Sequence, residues 1–272
     1  MRIPTAVLLL LTVLGSTLVF LPAPAFASTQ YLVPGTTDCG ITIPSPGYTT
    51  VVMTGNIGPC SGNGLVLNAN NFVLNCAGFT IYGSGSGFGI SNPAVIPTNP
   101  PTPITGIRVE NCVVTGFLYG FAFSYSYYST FLGNTVYGNT ASGFRFYSSS
   151  NNRFYSNTAY SNGAEGFVLS TSSNRNSFQF NTANGNTGSG FYLTTATVTN
   201  NAFLFNTANG NSANGFYVVS TTVTANVFYF NTANHNKGYG CLDVSKGSGT
   251  DGTANYWYAN TATSASPPSI CP

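Results

Sequence analysis

The chain has 272 residues, of which 7 are Lys or Arg, 5 are Asp or Glu and one is His. Charged side chains make up 4% of the sequence, against about 25% in an average soluble protein. That leaves no basic surface for nucleic-acid phosphates and too few carboxylates for a calcium cage or a proton relay. Disorder is excluded too, because 43% of the residues are hydrophobic and 14% aromatic, and polarity comes from Asn, Ser, Thr and Gly.

In chain order, Met1 and Arg2 precede an apolar run from Ala6 to Phe20 and a small-residue site, Ala25-Phe26-Ala27. This layout predicts a secretory signal peptide over 1–27, cleaved after Ala27. No later segment resembles a spanning helix, so the expected location is extracellular or periplasmic. Export sends the six cysteines to an oxidising compartment. They are Cys39, Cys60, Cys76, Cys112, Cys241 and Cys271. No pair has C-x-x-C spacing and His235 is the sole imidazole, so neither a metal nor another cofactor is expected.

A short stretch, 28–48, is expected to form an N-terminal cap. From about residue 49 to 263 the sequence repeats. Asn-Thr recurs at Asn134, Asn157, Asn181, Asn206, Asn231 and Asn260, spaced 23, 24, 25, 25 and 29 apart, and Asn111 is placed at the head of the series. A second Asn follows five residues later in five units (Asn139, Asn162, Asn186, Asn211 and Asn236). A Gly follows nine after the first Asn and is itself followed by Phe, or by Cys241 in the last unit. An aromatic stands three before each Asn from Phe131 to Trp257. All length variation falls between the Gly and the next Asn, as stacking in register with one variable loop requires. Short runs such as Gly215 to Val219 alternate with period two, and none has helical spacing.

The expected fold is therefore all-β: a single right-handed parallel β-helix of about eight or nine turns with roughly 23–25 residues per turn, ending in a tail at 264–272. Phe columns should stack inside it. Asn should occupy the corners, adopting left-handed angles and bonding to the Asn above and below. The Gly should relieve a tight bend. Removing the Pro-rich stretch Ser91 to Pro103 leaves one turn between Cys76 and Cys112, which predicts that they are bridged. Chain order suggests Cys39 with Cys60 and Cys241 with Cys271.

The run Gly62 to Gly83, the NTAxxN…GF repeats and the closing Asn255-Tyr256-Trp257 resemble the NosD-like branch of the parallel β-helix repeat proteins, within the pectate-lyase-like superfold. The resemblance spans roughly Thr49 to Thr263. It implies the fold and an association with carbohydrates. The copper-maturation role behind the branch's name does not carry over, because only His235 and Met53 remain as suitable ligands beside the cysteines.

Three functions are weighed. The first is a non-catalytic surface or extracellular module, glycan-binding or adhesive, whose partner is a polysaccharide or cell-surface glycan. Its binding candidates face outward by alternation: Tyr192, Tyr217 and Arg145 in one column, Tyr155, Tyr229 and Tyr258 in another. The second is a polysaccharide lyase or hydrolase. Glycoside hydrolysis needs two carboxylates across the bond. The five here fall in different columns, and the one charged grouping is Asp243, Lys246 and Asp251 in the long last loop, with His235 in the same turn. The third is a purely structural or water-ordering solenoid, suggested by the column Thr135, Thr158, Thr182, Thr207, Thr232 and Thr261.

Overall fold

The computed structural model describes residues 28–33, 35, 38–93, 102–194 and 197–272. The expected signal peptide at 1–27, and most of the Pro-rich stretch, lie outside them. One turn shows how the sequence builds the rest. Arg153–Tyr155 lies in a first sheet, Thr158–Tyr160 in a second and Phe167–Ser170 in a third, and the chain returns to the first sheet at Ser177–Gln179. Every strand pairs in parallel with the same segment of the adjoining turns. The first sheet stacks ten strands from Thr29–Leu32 to Tyr256–Tyr258, the third stacks ten from Ile41–Ile43 to Ala265–Ser266, and the second stacks six. The result is a parallel β-solenoid of about nine turns.

The solenoid already includes Thr29–Leu32, paired with Thr50–Met53, and Ile41–Ile43, paired with Leu65–Leu67. The stretch expected as a cap is thus part of the stack. Likewise Ala265–Ser266, in the expected tail, pairs with Cys241–Asp243. Disulfides join Cys39 to Cys60, Cys76 to Cys112 (Cα atoms 4.7 Å apart) and Cys241 to Cys271.

Alternation in the short strands aims one residue in two at the interior. In the first sheet this column runs Phe131, Phe154, Phe178, Phe203, Phe228 and Trp257, with ring centroids 3.8–5.0 Å apart and planes within 11°. The third sheet supplies Phe121, Phe144, Phe167, Phe191 and Phe216. The two columns meet edge to face, as Phe216 meets Phe228 at 78°. Each buried Phe contributes about 1.5–3 kcal/mol by leaving water, and each favourable ring pair about 0.5–1.5 kcal/mol more. Small residues of the second sheet, Ala159, Ala183, Ala208 and Ala233, complete the cross-section.

The Gly before each core Phe has a different reason from the expected bend. A Cβ on Gly166 would lie 2.7 Å from the carbonyl oxygen of Gly190 and 2.9 Å from the Ala183 Cβ. These positions lack a side chain because the next turn already fills the space.

The corners also differ from expectation. The left-handed residue is the one before the Asn in all but the last turn's Asn255: Ser156 (φ 53°) before Asn157, Ser161 (53°) before Asn162 and Asn151 (59°) before Asn152. The Asn then turns inward and is buried. This shifts the register of the first repeat by one. Cys112 stands level with Asn134 and donates its N–H to the Asn134 Oδ1, whereas Asn111 (φ 54°) is the corner residue.

Three carboxamide ladders result. Asn134, Asn157, Asn181, Asn206, Asn231 and Asn260 form one, with Nδ2–Oδ1 bonds of 2.9–3.0 Å. Asn139, Asn162, Asn186, Asn211 and Asn236 form another, at 2.9–3.1 Å. The third, Asn152, Asn176, Asn201, Asn226 and Asn255, was not expected from the repeat. Each interior amide donates to the next Asn and to a main-chain carbonyl of the preceding turn, as Asn181 does to Asn206 and to Phe154. No buried side-chain N or O among the described residues lacks a partner.

Candidate functional site

The residues of the charged grouping at the C-terminal end sit in three different settings. Asp243 points inward, in register with Val218, and is buried. Its carboxylate accepts from the Ser245 N–H and hydroxyl, the Asn255 Nδ2 and the Trp257 Nε1. It thereby terminates the third ladder and anchors the last ring of the Phe column. Asp251 is exposed in a 3-10 turn, where it accepts from the Ser269 N–H. His235 lies at the corner between the second and third sheets (φ 57°), its N–H donated to the Thr263 hydroxyl. No hydrogen bond or ion pair joins the three to one another among the described residues. Glu110 is also engaged, ion-paired with Arg108. Among the described residues no group of three His, Cys, Asp or Glu is placed to hold a metal.

The Tyr and Arg candidates fall on two faces. On the outer face of the third sheet, Ala122, Arg145, Val168, Tyr192, Tyr217 and Leu242 share one column on successive strands. Tyr192 and Tyr217 lie 5.4 Å apart with ring planes at 42°. This tilt leaves parts of both faces open. Arg145 sits two strands up, its guanidinium carbon 5.3 Å above the Tyr119 ring. Beside this column lies a row that includes Ser142, Glu165 and Ser189, linked by main-chain bonds from Gly143 and Gly166. The Glu165 carboxylate accepts from the Ser142 hydroxyl at 2.9 Å. Burial, followed by the nearby Tyr217 and Glu165, pushes the Tyr192 phenol above its usual 10.0. The face thus holds a cation, an anion and two tilted phenols in a strip of half-buried polar surface.

Tyr155, Tyr229 and Tyr258 occupy the outer face of the first sheet, in register through Gln179 and Leu204. Arg153 packs over Tyr155 at 5.2 Å. Alternation in the sequence hides a neighbouring feature. Phe180, Phe205 and Phe230 stand at the left-handed corner positions and point outward, stacked at 5.3 and 5.2 Å with planes within 7°. Tyr155 abuts one end of the row and Tyr258 the other, both edge to face. At the C-terminal end a groove of about 540 Å³ is lined by Tyr229, Phe230, Thr250, Tyr256, Trp257 and Tyr258. The signal available in the sequence is an aromatic immediately before the ladder Asn.

The Thr column lies in register on the outside of the second sheet. The column beside it is Tyr137, Tyr160 and then Asn184, so Thr forms a single row and not a flat array. No described helix is long and apolar enough to cross a membrane.

Residues 105–233 match the family model described as the right handed beta helix region. The match is to β-helix proteins at large and does not select the NosD-like branch. No curated protein sequence is significantly similar to the chain. Among solved structures, the A-module of the Azotobacter vinelandii mannuronan C-5 epimerase AlgE4 superposes with a TM-score of 0.65 at 16% identity, over 87% of this chain and 70% of that one. The A-module of the AlgE6 epimerase from the same organism gives 0.65 at 17% identity, over 89% and 71%. At such identities the likeness is one of fold. Parallel sheets, inward Phe columns, corner ladders and the family match over 105–233 together show that the chain folds as a right-handed parallel β-helix.

Proposed function

We propose that the chain is an exported β-helix module that binds polysaccharide without cleaving it, on the outer face of the third sheet. The observation that carries this is the column Arg145–Val168–Tyr192–Tyr217, with Glu165 beside it. Sugars are recognised by aromatic faces together with a few fixed polar groups. Tilted phenols supply the first, and Arg145, which has no carboxylate partner among the described residues, supplies a fork for an acidic sugar. The modules of like fold belong to enzymes named for mannuronan, which supports a polysaccharide ligand. Three disulfides support an oxidising, extracytoplasmic location.

The non-catalytic reading rests on what the acidic groups do. Asp243 is saturated with donors, Glu110 is paired, and Glu165 alone faces the strip. Tyr192, with its proton held more tightly than usual, is poorly suited to act as a phenolate base near neutral pH. The second reading is a polysaccharide-active enzyme, favoured by the likeness to the epimerase modules and by Glu165 beside Tyr192. A glycan-array screen of the purified protein, run beside reducing-sugar and unsaturated-product assays and proton NMR of the treated polysaccharide for epimerised residues, separates the two. Binding without product, reduced at least tenfold in Tyr192→Ala/Tyr217→Ala with folding intact, is expected. Product release, or affinity unchanged in the double variant, overturns the proposal.

A further inference from the structure

The first-sheet corner carries a surface that the third-sheet site does not use. Three successive rungs read Ser-Phe-Gln-Phe-Asn-Thr-Ala-Asn, Ala-Phe-Leu-Phe-Asn-Thr-Ala-Asn and Val-Phe-Tyr-Phe-Asn-Thr-Ala-Asn, from Ser177, Ala202 and Val227. None holds a charge. In each, the first Phe is buried in the core column and the second is at the corner, about half exposed: Phe180 49%, Phe205 47% and Phe230 49%. Other turns place Gly133, Ser156 or Ala259 at this corner, as its left-handed angle favours. A bulky residue with φ of 56–57° is uncommon and carries a backbone cost. Stacking between neighbouring rings offsets part of that cost, yet their outer edges remain exposed. A local rule broken three times in one column, without an internal gain to match, marks a surface with an external use.

The ring geometry narrows the occupant. Planes within 7° of one another at 5.2–5.3 Å cover each other's faces, so the row presents a comb of ring edges. Sugars stack on faces, whereas ring edges suit the faces and gaps of other aromatic side chains. Tyr256 and Tyr258, 48% and 64% exposed, extend the row around the terminal groove. Phe180, Phe205, Phe230, Tyr256 and Tyr258 together leave about 500 Å² of aromatic surface open, taking about 200 Å² for a fully exposed ring. A patch of that size falls in the range of about 300–600 Å² reached by the largest apolar patch on a typical monomer, which is often a functional surface. Two such patches bury about 1,000 Å², which reaches the threshold of a specific interface.

We propose that the occupant is a second copy of this chain. Two solenoids lie side by side and antiparallel, related by a two-fold axis through Phe205, the middle ring of the row. Each comb meets the same comb running the other way, which is the self-complementary arrangement of a closed dimer. With no charge on the three rungs, like charges do not oppose the contact. The third-sheet face remains free on both copies, so a dimer presents two polysaccharide sites to one ligand chain.

Sedimentation velocity of the purified protein, from low to high micromolar concentration, tests this. The expected species has twice the chain mass. Phe180→Asn/Phe205→Asn/Phe230→Asn removes the comb with a residue that accepts left-handed angles. It is expected to halve the mass while leaving the far-UV spectrum and unfolding midpoint in place. Phe205→Cys gives an independent readout, because all six native cysteines are paired. Mild oxidation should cross-link this single variant into a covalent dimer in high yield, and Thr158→Cys should not cross-link. A wild-type monomer at every concentration overturns the proposal. So does a folded triple variant that keeps the dimer mass, or one that loses polysaccharide binding with its mass unchanged.

Discussion

Replacing Asn206 with Ala should destabilise the protein far more than the same change three residues away at Asn209. Asn206 is buried in the first ladder. Its Nδ2 donates to the Asn231 Oδ1 and the Phe178 carbonyl, both at 3.0 Å, and its Oδ1 accepts from the Asn181 Nδ2 and main-chain N–H at 3.0 and 2.9 Å. Truncation leaves the Asn181 N–H without a partner and takes one bond each from the Asn181 amide and the Phe178 carbonyl. The Asn231 Oδ1 keeps the Asn206 N–H at 2.8 Å. At about 1–3 kcal/mol for each of these three buried groups, the cost comes to about 3–9 kcal/mol, a large part of a typical stability of about 5–15 kcal/mol. Asn209 lies on the outside of the same corner region, where its Oδ1 accepts the Asn234 N–H at 2.7 Å. Water can replace that bond, so Asn209→Ala should cost less than about 1 kcal/mol. Denaturant unfolding followed by circular dichroism gives the two midpoints. Hydrogen exchange at the Asn181 amide reports the local opening, because solenoids can unfold in sections. Equal shifts for the two variants, or an Asn181 amide as protected in Asn206→Ala as in wild type, would refute the structural role assigned to the ladder.

Two further outcomes are expected from other parts of the fold. Asp243→Ala strands the Trp257 indole N–H and part of the Asn255 amide in a buried site, so it should lower stability by about 3–5 kcal/mol while leaving polysaccharide binding by the residual folded protein unchanged. An intact denaturation midpoint would remove the terminating role given to this carboxylate. For Tyr192, burial raises the phenol above 10.0, so the folded state holds the proton more tightly than the unfolded state. The stability linked to it is therefore full below about pH 10 and is lost as pH rises through the raised value. Tyr192→Phe should flatten the alkaline fall in unfolding midpoint, and an unchanged pH profile would contradict the assignment.

The architecture was legible because stacking penalises any change of length between Asn and Gly, and the sequence kept that interval at nine from Asn134 onward. What was missed lay where a side chain substituted for the marker or a corner broke the alternation. Cys112 occupies a ladder position, so the Asn marker in that turn, Asn111, stands one residue early. The third ladder escaped notice because the residue after each of its members varies, from Arg153 to Tyr256, whereas Thr follows every member of the first. Period-two reasoning gave the outward columns of both large sheets but assigned no direction to Phe180, Phe205 and Phe230, since a left-handed residue resets the alternation. It also could not tell that Tyr192 and Tyr155 face away from a common site, because the angle between sheets is set by corners that hydrophobic patterning does not encode. Asp243 looked like loop chemistry from its charge, and its inward aim is set only by its register with Val218.

The carboxamide ladders have a direction. Every interior rung donates one amide hydrogen to the Asn on its C-terminal side, so the two ends of each ladder are chemically unlike. An internal turn receives and gives identical bonds, and a duplicate of it is accepted by both neighbours. A duplicate of 206–230 inserted after Phe230 should therefore lengthen the solenoid by one step of about 4.8 Å, with its ladders continuous and its aromatic row longer by one ring. At the C-terminal end the same operation fails, because the third ladder there ends on the Asp243 carboxyl group, which accepts from Asn255 and is not followed by another carboxamide. Growth by gene duplication is thus confined to the middle of the protein, where successive repeats are also the most alike.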